Sequence, residues 1–144
     1  MSAGSLVLMA KSADGQQAIA NTTGTDIESF DPDLFVSIAP DGTVSILAHR
    51  SEMGPGIRTT LPRIVADELE ADWERVEIVQ AIGDKRLGDQ NTDGSNSIRF
   101  FYERMRVAGA TARTMLEAAA ARTWKVDPSE CRAENHKVVH TKSD

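Results

Sequence analysis

Leu34-Phe35-Val36-Ser37-Ile38-Ala39-Pro40-Asp41-Gly42-Thr43-Val44-Ser45-Ile46-Leu47-Ala48 places apolar residues two apart on both sides of Pro40-Asp41-Gly42. Leu34, Val36 and Ile38 share one face before the turn, and Val44, Ile46 and Ala48 share one after it. A period of two puts alternate side chains on one side of a strand, and Asp-Gly supplies the positive φ of a tight reversal. The stretch therefore predicts a β-hairpin.

Toward the C-terminus, His49-Arg50-Ser51-Glu52-Met53-Gly54-Pro55-Gly56 cannot hold a regular element, because two glycines flank a proline. Ile57, Leu61, Ile64, Val65 and Leu69 then recur at helical spacing. Pro62 is tolerated best in a first turn, which predicts an N-cap at Thr59 or Thr60 and an end near Ala71-Asp72. Trp73 to Gln80 reads as a strand with Val76 and Ile78 on one face. A polar loop from Gly83 to Ser97 follows; structureless loops of that length are usually functional or mobile. Ile98, Phe101, Met105, Ala108, Ala112, Met115, Leu116, Ala119 and Ala120 predict one long helix capped by Ser95 or Ser97 and ending near Trp124. Small residues at Ala108-Gly109-Ala110 admit a second backbone. Asp127-Pro128-Ser129-Glu130 reads as a short capped turn, and two short strands surround Asn135-His136. The order β-β-α-β-α-β-β predicts an α+β fold, a mixed or antiparallel sheet with two helices packed on one face.

Toward the N-terminus, residues 11–30 are rich in Ser, Thr, Gly, Asp and Gln and show no apolar period. Residues 1–30 read as a mobile lead-in, and 31–144 as a single α+β domain. Ser5-Leu6-Val7-Leu8-Met9-Ala10 is apolar but too short for an export signal, and no basic residue precedes it.

Composition narrows the function. The net charge is -6, and the arginines alternate with acidic and apolar neighbours, which argues against nucleic acid as a partner. No apolar run reaches the length of a membrane span. The single cysteine, Cys131, can form no internal disulfide and reads as a packed strand residue. His49, His136 and His140 read as ordinary surface residues. The last two lie roughly 13 Å apart along a strand, too far to share a zinc ion. Ser51, Ser95 and Ser97 do not sit in a Gly-x-Ser-x-Gly elbow. The acidic run Asp67-Glu68 with Glu70 reads as a solvated helix face.

Two glycine-rich loops remain, Glu52 to Gly56 and Asp93 to Ser97, and each opens a helix. Helix starts present unpaired N–H groups to anions, and glycine lets a ligand approach the main chain. Ser95 and Ser97 add hydroxyls. The candidate cofactor-binding residues on these grounds are Gly54, Gly56, Gly94, Ser95 and Ser97. A purely structural loop is the alternative, since neither matches a dinucleotide or P-loop fingerprint. No residue is a candidate for catalysis or metal binding.

Taken together, Phe35 to Val44, Ser51-Glu52-Met53-Gly54-Pro55-Gly56, Val65 to Trp73 and Asp89-Gln90-Asn91-Thr92-Asp93-Gly94-Ser95 resemble a known family. It is the large, molybdopterin-binding subunit of aldehyde dehydrogenases and isoquinoline 1-oxidoreductases, in the xanthine oxidase family of molybdenum hydroxylases. The likeness covers about Leu34 to His140 and corresponds to the N-terminal region of those subunits. It implies an oxidoreductase acting on aldehydes or N-heteroaromatics with molybdopterin cytosine dinucleotide as cofactor. The implied partners are the remaining domains of the large subunit, a small [2Fe-2S] subunit and a cytochrome c subunit. In the family a Glu-Met-Gly-Gln-Gly motif contacts the pterin cofactor; it falls on Glu52, Met53, Gly54 and Gly56, which implies Met53 as a further cofactor-binding residue, and Pro55 replaces the glutamine, so an amide side chain and a backbone N–H are both lost. The family's catalytic glutamate has no counterpart here.

The resemblance also implies the periplasm, reached by a twin-arginine signal of which Gly4 to Leu8 resembles the apolar remnant. The arginine pair is absent, and without an export signal the chain would stay in the cytoplasm. Such chemistry needs a closed pocket built from several domains, so the isolated chain is expected to be inactive and to supply scaffold and part of the cofactor wall. The rival expectation is a non-catalytic interaction or small-molecule-binding module derived from that domain, burying its small face at Ala108 to Ala112 against a partner.

Overall fold

The computed structural model describes residues 30–143. The lead-in expected over residues 1–29, with its apolar stretch, lies outside the described residues. A four-stranded sheet contains β1 (Phe30–Asp33), β2 (Val36–Ile38), β3 (Val44–Ala48) and β4 (Val76–Gln80) in that spatial order. Strands β1, β2 and β3 pair antiparallel, while β3 and β4 pair parallel from Val44↔Val76 to Ala48↔Gln80. A parallel pair needs a crossover, and α1 (Ile57–Leu69) supplies it. Helix α2 (Asn96–Trp124) leads to a second hairpin of β5 (Cys131–Glu134) and β6 (Lys137–His140). The fold is α+β, and its sheet is mixed.

The predicted hairpin forms at β2–β3, with Gly42 at φ 90° and the Asp41 carboxylate accepting from the Thr43 N–H at 2.8 Å. Its first strand is shorter than the alternation implies. Leu34 and Phe35 are the turn between β1 and β2, so Leu34 is exposed and Phe35 is buried. Strand β1 is not expected from the sequence, since Pro32 argues against a strand; as the edge strand of the sheet it tolerates a residue without an N–H. The final hairpin forms a separate two-stranded sheet and does not extend the main one. Its two-residue turn has positive φ at Asn135 (48°) and His136 (67°).

Helix α1 begins earlier than predicted, at Ile57 after Gly56 with φ 80°, and so takes Pro62 into its second turn. The predicted Thr60 cap instead turns its hydroxyl to the Gly56 carbonyl at 2.8 Å, inside the helix. Helix α2 has 29 residues, about 43 Å at 1.5 Å per residue. It packs on β1 and β2, α1 packs on β3 and β4, and the two helices pack on each other. The core between them is centred on Val36, Val44, Ile46, Leu61, Val65 and Met105. Ile98 and Met115, expected on the core face of α2, are exposed, because one long helix outruns the four- and three-residue strands beneath it. Beyond the sheet, Ala120 and Ala121 pack on Cys131 instead.

The two helices meet at Gly109, where a Cβ would lie 2.5 Å from the Val65 carbonyl oxygen. The small-residue face is therefore filled by α1 of the same chain. Glu68 is not a solvated residue either: its carboxylate takes the Arg106 Nε at 2.5 Å across the helix pair.

Candidate functional site

Both glycine loops leave the same end of the sheet, and hydrogen bonds join them. The Ser51 N–H donates to the Gln90 carbonyl at 3.2 Å, and the Thr92 hydroxyl donates to the Ser51 carbonyl at 2.5 Å. The long loop is thus pinned rather than loose. Leu87, on a single 3-10 turn (Lys85–Leu87), is buried in the core and anchors its middle.

Arg50 holds the junction. Its side chain is fully buried, its Nε donates to the Ser97 Oγ at 3.0 Å, and its Nη1 reaches both the carbonyl and the carboxylate of Asp89 at 2.9 Å. The Asn91 N–H, and after it the Arg50 guanidinium, hold the Asp89 carboxyl below its usual range. The guanidinium carbon also lies 5.3 Å from the centre of the Phe101 ring. The remaining nitrogen, Nη2, is buried without a partner. A buried donor left unpaired costs about 1–3 kcal/mol, so its persistence calls for an explanation such as a ligand or ion that meets it.

His49, expected on the surface, is buried between Phe35 and Phe101, with ring centroids 5.1 and 4.3 Å away. The alternation of Val44, Ile46 and Ala48 would send His49 outward, but the strand ends at Ala48 and the chain turns. Burial first, and then the charges of Arg50 and Arg104, lower its pKa to about 4, so it is neutral at pH 7. The other two histidines are paired. His136 accepts from the Asp72 N–H at Nδ1 and meets the Gly42 carbonyl with Nε2, tying the last hairpin to the first. His140 pairs with Glu130 at 2.8 Å. No cluster of potential metal ligands occurs among the described residues.

The six sequence-predicted residues divide by loop. In the first, Gly54 and Gly56 adopt φ 108° and 80°, and a Cβ on either would meet nothing within 4 Å. Met53 is 70% exposed. The tip of this loop is open, but its N–H groups are spent. The Glu52 carboxylate accepts from Gly54 at 2.6 Å, Gly56 at 3.1 Å and Arg58 at 3.0 Å. The Arg58 N–H, then that of Gly56, hold the Glu52 carboxyl below its usual range. This helix start carries its own anion, and a phosphate arriving there would compete with the Glu52 carboxylate for the same three donors.

The second loop differs. Gly94 (φ 52°) and Ser95 (φ 57°) turn the chain into α2, and no side chain caps the first turn. Ser95 is exposed; Ser97 points inward to Arg50. Sequence reasoning misses Arg50 altogether. The signal available is an arginine directly after an apolar strand and beside a glycine loop, which composition alone cannot tell from a solvated charge.

Replacing Glu52 by glutamine should leave the loop in place but weaken the cap. Amide hydrogen exchange at Gly54, Gly56 and Arg58 should then quicken relative to the rest of α1; unchanged rates would show that the carboxylate does not seal the helix start.

Over residues 11–144 the chain matches the family described as the molybdopterin cofactor-binding domain. It is 36% identical over 124 residues to the beta subunit of isoquinoline 1-oxidoreductase from Brevundimonas diminuta, covering 81% of this chain and 16% of that protein. It is 41% identical over 103 residues to a membrane-bound aldehyde dehydrogenase (pyrroloquinoline-quinone) of Gluconacetobacter polyoxogenes, covering 72% and 13%. It is 31% identical over 106 residues to a nicotinate dehydrogenase subunit of Pseudomonas putida, covering 74% and 9%. The chain thus spans at most 16% of the length of these relatives.

Proposed function

The chain belongs to the molybdopterin cofactor-binding domain family, and from that membership we infer that it supplies scaffold and part of the cofactor wall to a larger molybdenum oxidoreductase. The observation that carries this reading is the join between the two loops. Ser51, at the base of the open Met53 to Gly56 loop, is bonded to the loop that leads into α2, and the buried Arg50 ties the end of β3 to Ser97 in the first turn of that helix. A flat ring system carrying a phosphate suits such a pair. The exposed loop tip offers a face without a Cβ for the ring, and the start of α2 offers N–H groups for the charge. The part of the fit that fails is the start of α1, where Glu52 takes the donors. Molybdopterin would supply the redox chemistry when bound, while these residues bind and orient it.

The finer reading follows the relatives. Their names describe enzymes of isoquinoline, aldehyde and nicotinate oxidation, so the substrate class proposed here is aldehydes or N-heteroaromatics, and the cofactor form is the cytosine dinucleotide. Two relatives are named as subunits, which supports partner chains. The proposed partners are a [2Fe-2S] subunit and a cytochrome c subunit, and the proposed location is the periplasm. Among the described residues no helix is long and apolar enough to cross a membrane.

Metal, pterin and quinone analysis of the polypeptide that carries this chain tests the reading. Molybdenum and pterin in near-equal amounts are expected. Quinone without molybdenum, or neither group, would overturn it. The isolated 144-residue chain should show no dye-linked aldehyde oxidation, because one domain leaves such a cofactor in water.

A further inference from the structure

We propose that His49 is an acid-sensitive clasp, and that protonating its imidazole releases the segment from Asp84 to Asn91 while the sheet and the two helices stay folded. The ring lies between Phe35 and Phe101, with centroids 5.1 and 4.3 Å away, and neither ring nitrogen has a hydrogen-bond partner. Each phenyl ring also holds a cation. The Arg104 guanidinium carbon lies 4.7 Å from the centre of Phe35, and that of Arg50 lies 5.3 Å from the centre of Phe101. A proton on His49 would place a third positive charge in this apolar cluster, with no acceptor for either N–H of the imidazolium. The charged groups that face the ring are Arg50 beside it in the chain, Arg104 from α2 and Asp89 from the loop. Beside Phe35, the Asp33 carboxylate is taken up by the Phe35 N–H at 3.1 Å.

The same two cations hold the loop. Arg50 donates to the carbonyl and the carboxylate of Asp89 at 2.9 Å, and Arg104 donates to the Leu87 carbonyl at 3.5 Å. Gly88 lies against both Arg104 and Phe101, where a Cβ would be 3.6 Å from the Arg104 Nη1 and 3.9 Å from the Phe101 Cε1. Within residues 83–96 only Leu87 is buried, so this segment has the least apolar contact to lose and yields first when the cluster must admit water. Closed, the ring takes a proton only near pH 4, because of burial first and then of Arg50 and Arg104; exposed by opening, it does so near its ordinary 6.5. Between those values the open state alone binds the proton. Opening therefore gains about tenfold per pH unit as acid is added, up to about 300-fold across the window. Asp89 acts elsewhere on the pH scale. The Asn91 N–H and Arg50 hold its carboxyl below the ordinary 3.8, so the stability it contributes is lost only below that value. The clasp is independent of the proposed function; that acid would thereby loosen a cofactor wall rests on that reading.

Amide hydrogen exchange of the full chain, read by nuclear magnetic resonance between pH 6.5 and 4, tests the clasp. Protection relative to free peptide should fall about tenfold per pH unit at Ser51, Leu87, Gly88 and Asn91, whose N–H groups bond to the loop or within it. These amides should be less protected than Ile46 and Val65 in the core and, unlike them, should not respond to low urea, which marks a local opening. His49→Leu should abolish the pH dependence at all four. Protection that stays flat with pH, a urea response equal to that of Ile46 and Val65, or a slope that survives in His49→Leu would overturn the proposal. Should that variant not fold, the His49 ring decides in the parent chain: its carbon resonances must titrate well below the ordinary imidazole value, and titration near 6.5 would overturn the clasp. Molybdenum and pterin content of the long polypeptide bears on the proposed function alone, so either reading can fail while the other stands.

Discussion

Gly109→Ala should destabilise the chain by about 2 kcal/mol, although alanine is the better helix former. On propensity alone the change is worth about 1 kcal/mol in favour of the variant at an interior helix position. The added Cβ, however, would lie 2.5 Å from the Val65 carbonyl oxygen and 2.9 Å from the Glu68 Cβ. The first of these is backbone in the middle of α1 and cannot rotate away. The helices must separate, and every contact between Val65, Ala66, Leu69, Met105, Ala108 and Ala112 loosens with them. Overpacking of this kind costs about 1–3 kcal/mol where the structure can give and more where it cannot. The steric cost outweighs the propensity gain. Urea denaturation reads the difference directly, and Thr111→Ala, on the exposed side of the same helix, is the control that should lose nothing. A Gly109→Ala chain as stable as the parent would show that α1 and α2 do not approach this closely.

Acid should weaken the fold well before the carboxylates titrate, because of His49. In the unfolded chain its imidazole takes a proton near pH 6.5, whereas in the folded chain it does so only near pH 4. Between those values the unfolded state binds the extra proton, so stability is full above pH 6.5 and falls as the pH drops toward 4. The loss from this group amounts to roughly 3 kcal/mol and ends below pH 4, where both states are protonated. Its cause is burial between two phenyl rings with no partner for either ring nitrogen, reinforced by Arg50 and Arg104. Leucine at position 49 has nothing to titrate. His49→Leu should flatten the stability profile between pH 6.5 and 4, whatever its stability at pH 7, where removing two unpaired ring nitrogens offsets part of any packing loss. Denaturation midpoints measured at several pH values would settle it; a variant with the same acid slope as the parent would place the responsible group elsewhere.

Both effects come from residues whose neighbours are distant in sequence, and the same contrast runs through the candidate site. Gly54, Gly56 and Gly94 are legible because glycine in a loop that leads into a helix has few explanations, and all three adopt positive φ. Ser97 is legible as part of a loop, but its partner is not, since Arg50 lies 47 residues away. Glu52 reads as one more motif residue until its carboxylate is seen closing the three N–H groups that a phosphate would need. Leu34 reads as a strand-face residue and His49 as a surface residue for one shared reason. Each sits at the end of an alternating run, where the period no longer says which way the chain turns.

Neighbouring residues were enough to set the elements. Local alternation, helical spacing, Asp41-Gly42 and Asn135-His136 all act within a few residues, and most of the predicted hairpins and helices form where those signals lie. Packing between remote segments settled the rest: the second hairpin stands apart from the main sheet, α1 fills the small face of α2, and Arg50 binds Ser97 across 47 residues. Those outcomes depend on which buried groups find partners across long loops. Burial and hydrogen bonding between distant segments leave no periodic trace in the chain.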